Sequence, residues 1–311
     1  MNYSKYSVFV SNQKIFIKDK YLDTRIKLSD FMFDFTVKSY IHNLDIYFST
    51  DNLEILKHIS KYFNFDKRSE LMNATNAIVF KISKRKKSNC VIWESDDSGI
   101  KKGLNQYDNL VFQIDQNFIV IRNDVVDISY QSLENFISSL PLIQKLIEGR
   151  INQKFLYNGF LPVHGTAGLL NNKKYIVIGE SHSGKTSYFK KGKIFFDEVL
   201  YSDGIKLTGY PFVKTYEESN DEVIGSVHRK VVKLSTNKII YDINTFKLIM
   251  ANRFYEGTSY LEIEKLDKKH LQLLLTGYLN NVPGKYFFNQ EHTVPSNLIN
   301  NIIYNIAHTT N

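Results

Sequence analysis

The stretch Tyr175-Ile176-Val177-Ile178-Gly179-Glu180-Ser181-His182-Ser183-Gly184-Lys185-Thr186 decides the fold. An apolar run leads straight into G-x-x-x-x-G-K-[ST], so a strand is predicted to feed a phosphate-cradling loop and then a helix. Each fixed position has a physical reason. Glycines let the backbone turn tightly, so that consecutive N–H groups face phosphate oxygens. Lys185 can reach the β and γ phosphates as a flexible point charge, and Thr186 can offer its hydroxyl to Mg²⁺. Gly179, Ser181, Ser183, Gly184, Lys185 and Thr186 are thus the predicted nucleotide-binding residues, with ATP and Mg²⁺ as cofactors. The helix that follows is expected to add the positive end of its dipole. His182 sits at an unconstrained position and reads as filler.

On either side of the loop the pattern stays mixed. Leu161–Leu170 reads as a strand ending in an Asn171-Asn172 turn, and Ile194–Tyr201 as a strand ending near an Asp203-Gly204 turn. Asp197 and Glu198 follow the apolar run Lys193-Ile-Phe-Phe196, only eleven positions after Thr186. One carboxylate of such a pair can take a proton from an acceptor hydroxyl while the other holds Mg²⁺. In isolation the same pair reads as a solvated strand edge, and a lone histidine such as His164 as a structural residue. Helices are expected at Asp267–Leu279 and, after Pro295, at Asn297–Ala307. No H-E-x-x-H, Cys/His cluster or G-x-S-x-G occurs in the sequence, so metalloprotease and hydrolase readings lack support.

The first half reads mostly as strands. Ser7–Val10 and Lys14–Ile17 suggest an opening hairpin, and Leu44–Phe48 alternates like a half-buried strand. Ser49-Thr50-Asp51 then offers capping residues for a helix carrying Leu53, Ile55, Leu56, Ile59 and Phe63. Further strands are predicted at Ala77–Ile82, Cys90–Trp93, Leu110–Ile114 and Phe118–Ile121, the last two joined by Asp115-Gln116-Asn117. Leu133, Phe136, Ile137 and Leu140 share a helical face until Pro141, where a second helix is expected to start and bury Leu142, Ile143, Leu146 and Ile147. The domain junction is placed there. Residues 1–140 form a β-rich accessory domain and 141–311 a nucleotide-binding domain of α/β (mixed α+β) class.

Composition bounds the rest. A chain of 311 residues with 43% hydrophobic and 23% charged residues suits about two globular domains and argues against disorder. No apolar run reaches the roughly 20 residues of a membrane span, and the N-terminus lacks a signal-peptide core, so a cytoplasmic protein without a membrane partner is expected. Cys90 is the only cysteine, which excludes an intrachain disulfide and a Cys cage; it reads as a buried, inert thiol. The net charge of +8 would suit nucleic acid, acidic substrates or nucleotide phosphates. Its densest run, Lys84–Lys87, reads as a solvated turn more readily than as a nucleic-acid patch. Arg229, Lys230 and Arg253 are basic candidates for further phosphate contacts.

Together Phe160–Ala167, the phosphate loop, Phe195-Phe-Asp-Glu198 and Ser202-Asp-Gly204 resemble the HPr kinase/phosphatase superfamily, which is structurally related to phosphoenolpyruvate carboxykinase. The likeness is closest to stand-alone members that carry a different N-terminal domain and occur beside peptide-modification pathways, and its specific part covers about fifty residues. It implies that Asp197 is the catalytic carboxylate that activates a hydroxyl, and that His164 orients it. It implies that Glu198 replaces a second aspartate as a Mg²⁺ ligand with Thr186, and that Lys185 handles the transferred phosphate. Two departures stand out: Thr186-Ser-Tyr-Phe-Lys-Lys191 leaves barely two helical turns before Gly192, and the second carboxylate is Glu.

The leading expectation is an ATP-dependent kinase acting on a hydroxyl, a serine or threonine of a peptide or small protein. A nucleotide-responsive recruitment module without transfer activity, and a small-molecule kinase acting on an amino acid or sugar, are the alternatives. The N-terminal domain is left with three roles: substrate recognition, a homo-oligomer contact, or cover for the catalytic sheet.

Overall fold

The computed structural model describes residues 6–11, 14–19, 35–41, 43–60, 76–84, 90–95, 100–105, 109–122, 124–158, 160–179, 183–203, 205–209, 212–217, 228–233, 240–254 and 257–262. The fold is mixed α+β, and the chain divides into two compact units, Met1–Leu146 and Ile147–Asn311. The expected helices at 267–279 and 297–307, the position Phe63, and Arg85–Lys87 lie outside the described residues.

The first unit opens with an antiparallel hairpin, β1 (Tyr6–Ser11) and β2 (Lys14–Asp19), as the alternation of polar and apolar residues suggests. Next come β3 (Phe35–Ile41), β4 (Leu44–Thr50), helix α1 (Leu53–Ile59), β5 (Ala77–Lys84), β6 (Cys90–Ser95), β7 (Lys101–Asn105), β8 (Leu110–Ile114), β9 (Asn117–Arg122) and β10 (Val125–Tyr130). They build one sheet in the order β3-β4-β5-β10-β9-β8-β7-β6, in which β4, β5 and β10 run parallel and the other pairings are antiparallel. The parallel centre is apolar on both faces, as such strands require. Ile46, Tyr47 and Phe48 of β4 and Ile78, Val79 and Phe80 of β5 are all buried, and the rings of Phe48 and Phe80 stack at 5.2 Å.

The entry to α1 corrects one expectation. Ser49 and Thr50 belong to β4, and the helix is capped by Asn52, whose Oδ1 accepts from the Glu54 N–H at 3.0 Å. Thr50 Oγ1 in turn accepts from the Asn52 N–H at 3.2 Å, and Asp51 accepts from the Lys84 N–H and the Tyr130 hydroxyl.

Pro141 gives a second correction, since α2 (Leu133–Tyr157) runs through it without a break. Phe136, Leu140, Ile143, Ile147, Ile151 and Phe155 recur every three or four residues and are all buried, so one apolar stripe crosses the proline. Pro141 itself is on the exposed side, where water can reach the carbonyl that has lost its intrahelical donor. The boundary between the two units falls inside this helix, at residues 146/147.

The second unit comprises β11 (Leu161–Leu170), β12 (Lys173–Gly179), β13 (Lys193–Phe196), β14 (Val199–Ser202), β15 (Lys206–Gly209), β16 (Phe212–Glu217), β17 (His228–Lys233), β18 (Tyr241–Asp242), β19 (Phe246–Phe254) and β20 (Gly257–Glu262). Its main sheet runs β18-β15-β14-β11-β12-β19-β20, with β13 also paired to β11, and β16 and β17 form a separate ribbon. Arg229 and Lys230 fall on β17 and Arg253 on β19. One pairing shapes the site. β12 and β19 run parallel, with Gly179 opposite Ala251, so the loop leaves the sheet beside a strand from far along the chain.

Candidate functional site

The site is built where β12 ends and where β13 gives way to β14. After Gly179, residues 180–182, Ser181 and His182 among them, lie outside the described set, and the chain resumes at Ser183. Gly179 is held tightly: an added Cβ would sit 2.4 Å from the Ala251 carbonyl oxygen and 2.4 Å from Ser183 Oγ. Gly184 has φ +84°, a left-handed conformation that side chains strain. The two loop glycines are thus needed for different reasons, one for close approach and one for backbone angle.

Thr186–Phe189 forms a single 3₁₀ turn of four residues, and the expected helix with its dipole is absent at this place. The turn closes early because Lys190, Lys191 and Gly192 offer no apolar face and are exposed. Phe189 anchors it in a cluster with Val177, Ile249 and Ala251. Burying such a ring is worth about 2–3 kcal/mol, which holds the loop's exit against the sheet.

Inside the loop, Lys185 is buried and its Nζ donates to the Gly179 carbonyl at 3.0 Å, bridging the two ends of the loop. Ser183 is 1% exposed, and its Oγ finds no hydrogen-bond partner among the described residues. A buried hydroxyl left in that condition is costly, and a ligand oxygen at the loop would relieve it.

The acidic pair interrupts what the sequence suggests is one strand. The chain kinks at Asp197-Glu198, where Glu198 takes φ +68° and the Val199 N–H closes a tight turn on the Asp197 carbonyl at 2.9 Å. Both flanking strands still pair with β11. The pairs Ala167–Phe196 and His164–Val199 set Thr166 across from Asp197 and Gly165 across from Glu198. Hence Thr166 Oγ1 donates to Asp197 Oδ1 at 2.5 Å, while Thr186 Oγ1 lies 3.2 Å and 3.4 Å from its two oxygens. His164 Nε2 stands 3.6 Å from Glu198 Oε2, so the carboxylate placed beside this histidine is the second of the pair.

Asp197 is 3% exposed. Burial pushes its carboxyl up to about 6, the neighbouring Glu198 charge adds to the rise, and hydrogen bonds from Thr166, the Glu198 backbone and Thr186 oppose it. That is the environment in which a carboxylate can exchange a proton near neutral pH.

Of the sequence-predicted residues, Gly179, Ser183, Gly184, Lys185, Thr186 and Asp197 come together, with Glu198 in the kink between β13 and β14 and His164 on β11 beside it. Two residues near them were given no role in the sequence: Thr166, inside the Phe160–Ala167 segment and brought to Asp197 by the β11 register, and Tyr260, whose hydroxyl donates to the Gly184 carbonyl at 2.9 Å. No protein-family model matches the chain, and no curated protein matches its sequence.

Proposed function

We propose that the chain is an ATP-dependent phosphotransferase of the HPr-kinase-like kind, passing a phosphoryl group to a hydroxyl of a peptide or small protein. The observation that carries this reading is the meeting of Thr186 with Asp197 at 3.2 Å. A hydroxyl at the end of a phosphate loop and a buried carboxylate from another strand are the two halves that such a reaction needs in one place.

The donors present fit a hard divalent cation, since Thr186 and Glu198 offer oxygen ligands of the type Mg²⁺ takes. When bound, Mg²⁺ neutralises charge on the β and γ phosphates. Lys185 would exchange the Gly179 carbonyl for a phosphate oxygen, and Ser183 Oγ would gain a partner. Asp197, held by two threonine hydroxyls, would accept the proton of the attacking hydroxyl as the new O–P bond forms and ADP leaves. His164 would steady Glu198.

A second reading has one observation in its favour. The four-residue turn after the loop is far shorter than the helix that follows most such loops, which suits a nucleotide-responsive recruitment module without transfer activity.

Incubating the full chain with labelled ATP, Mg²⁺ and peptides encoded by neighbouring genes, then locating phosphate by mass spectrometry, separates the two. Phosphorylated peptide that disappears in Asp197→Asn, while nucleotide binding persists, supports transfer. Binding without product on any peptide favours recruitment. No heat protection by ATP with magnesium in excess defeats both.

A further inference from the structure

We infer that Tyr260, on the edge strand β20, is a positioning residue for the phosphate loop and replaces the missing helix as the element that sets the Lys185 amide. This rests on the nucleotide-binding reading above and adds a residue to it.

The geometry starts from the sheet. Gly179 lies opposite Ala251 on β19, and Ala251 lies opposite Tyr260 on β20, so the three form one row across the strands. The loop leaves the row at Gly179 and folds back over it by Gly184. There an added Cβ would meet Thr258 Oγ1 at 3.0 Å and Tyr260 Oη at 3.1 Å. Thr258 and Tyr260 are two positions apart, hence on the same face of β20, and together make a ledge under the loop.

The Gly184 carbonyl accepts two hydrogen bonds on this ledge, from the Tyr188 N–H at 3.1 Å and from the Tyr260 hydroxyl at 2.9 Å. In a trans peptide the carbonyl and the next N–H point in opposite directions. Fixing the Gly184 carbonyl toward β20 therefore turns the Lys185 N–H away from it, the orientation that a phosphate-cradling loop requires. A continuous helix would enforce that orientation with successive backbone bonds. Here one 3₁₀ turn follows, and the Tyr260 ring packs edge-on against Tyr188 of that turn at 4.9 Å, with Tyr175 meeting Tyr188 at 5.5 Å. Tyr260 thus holds both the loop's last glycine and the turn behind it.

The test uses the full chain and Mg²⁺-ATP in calorimetric titrations. Tyr260→Phe keeps the ring on Tyr188 and removes only the hydroxyl. It is expected to raise the Kd for ATP about five-fold, the scale of one lost hydrogen bond. It should also speed hydrogen exchange of the Lys185 amide in the unliganded chain, with Tm within about 2 °C of the wild type. Tyr175→Phe, which removes the hydroxyl of the other ring that packs on Tyr188, should leave both readouts unchanged. Equal ATP affinity and equal Lys185 exchange in Tyr260→Phe would overturn the role of Tyr260 while leaving the nucleotide reading intact. A wild-type chain that does not bind ATP would overturn the nucleotide reading, and the affinity claim with it.

Discussion

Two strand-to-turn junctions in this molecule begin alike and end differently. β4 runs into Asp51-Asn52 and α1, and β12 runs into the loop and the Thr186–Phe189 turn. At the first junction side chains take up the backbone donors, with Thr50 on the Asn52 N–H and Asn52 on the Glu54 N–H. At the second, the residue before the turn is Lys185, which provides no side-chain cap, and Ser183 Oγ is buried without a partner among the described residues. A junction that satisfies its own donors serves stability. One that leaves a polar group without a partner among the described residues, on a backbone kept open by glycines, fits the ligand proposed above.

The comparison can be broken most sharply at Lys185. On the proposed mechanism, Lys185→Ala should lower phosphoryl transfer on the order of 1,000-fold, as measured with labelled ATP, because the positive charge assigned to the transferring group would be lost. Wild-type turnover in that variant would place the chemistry elsewhere. Next in size, Gly179→Ala should cost about 4 kcal/mol in denaturant unfolding, since its Cβ would meet the Ala251 backbone oxygen, which cannot swing aside, as well as Ser183 Oγ. A neutral result would mean that the loop is free to move off β19.

Asp197 sharpens the contrast through pH. Its folded-state value of about 6 lies above the ordinary 3.8, so the folded chain holds a proton that the unfolded chain has already released. Stability from this group is fullest below about pH 4, falls as pH rises toward 6, and then levels off at a penalty of up to about 3 kcal/mol. Asp197→Asn, still able to accept from Thr166 and Thr186, should therefore be more stable than the wild type at pH 8 and equal to it near pH 4. Thermal melts across that range check the sign, and excess Mg²⁺-ATP should narrow the gap at pH 8. The smallest effect belongs to the other junction. Asn52→Ala should cost about 1 kcal/mol of stability, the value of a helix cap, and leave the response to ATP unchanged.

Much of this was legible in the sequence because it is local. The run Tyr175–Ile178 announced its strand, Asn171-Asn172 its turn (both at positive φ), and Asp115-Gln116-Asn117 its hairpin. What could not be read was set by partners distant along the chain. β10 was missed although Val125–Tyr130 is as apolar as its neighbours, and β7, Lys101-Lys-Gly-Leu-Asn105, has almost no strand signature and owes its form to pairing on both sides. Pro141 looked like a helix boundary because the rule is local, while the stripe from Phe136 to Phe155 that overrides it is not. In the site, Gly179, Lys185 and Asp197 carried motif signals. Thr166 reached Asp197 only through antiparallel register, and Tyr260 reached Gly184 across two strands. The kink at Glu198 was hidden inside what looks like an uninterrupted strand, because no glycine marks its left-handed angle.

The parallel pairing of β12 with β19 carries a consequence for the order in which the molecule can be made. The eight-residue motif is synthesised well before its floor at Ala251 and its ledge at Thr258 and Tyr260. A nascent chain halted near residue 240 would display every letter of the motif and still lack the surface that shapes it. On the nucleotide reading proposed above, competence should therefore switch on only once residues through 262 have cleared the ribosome.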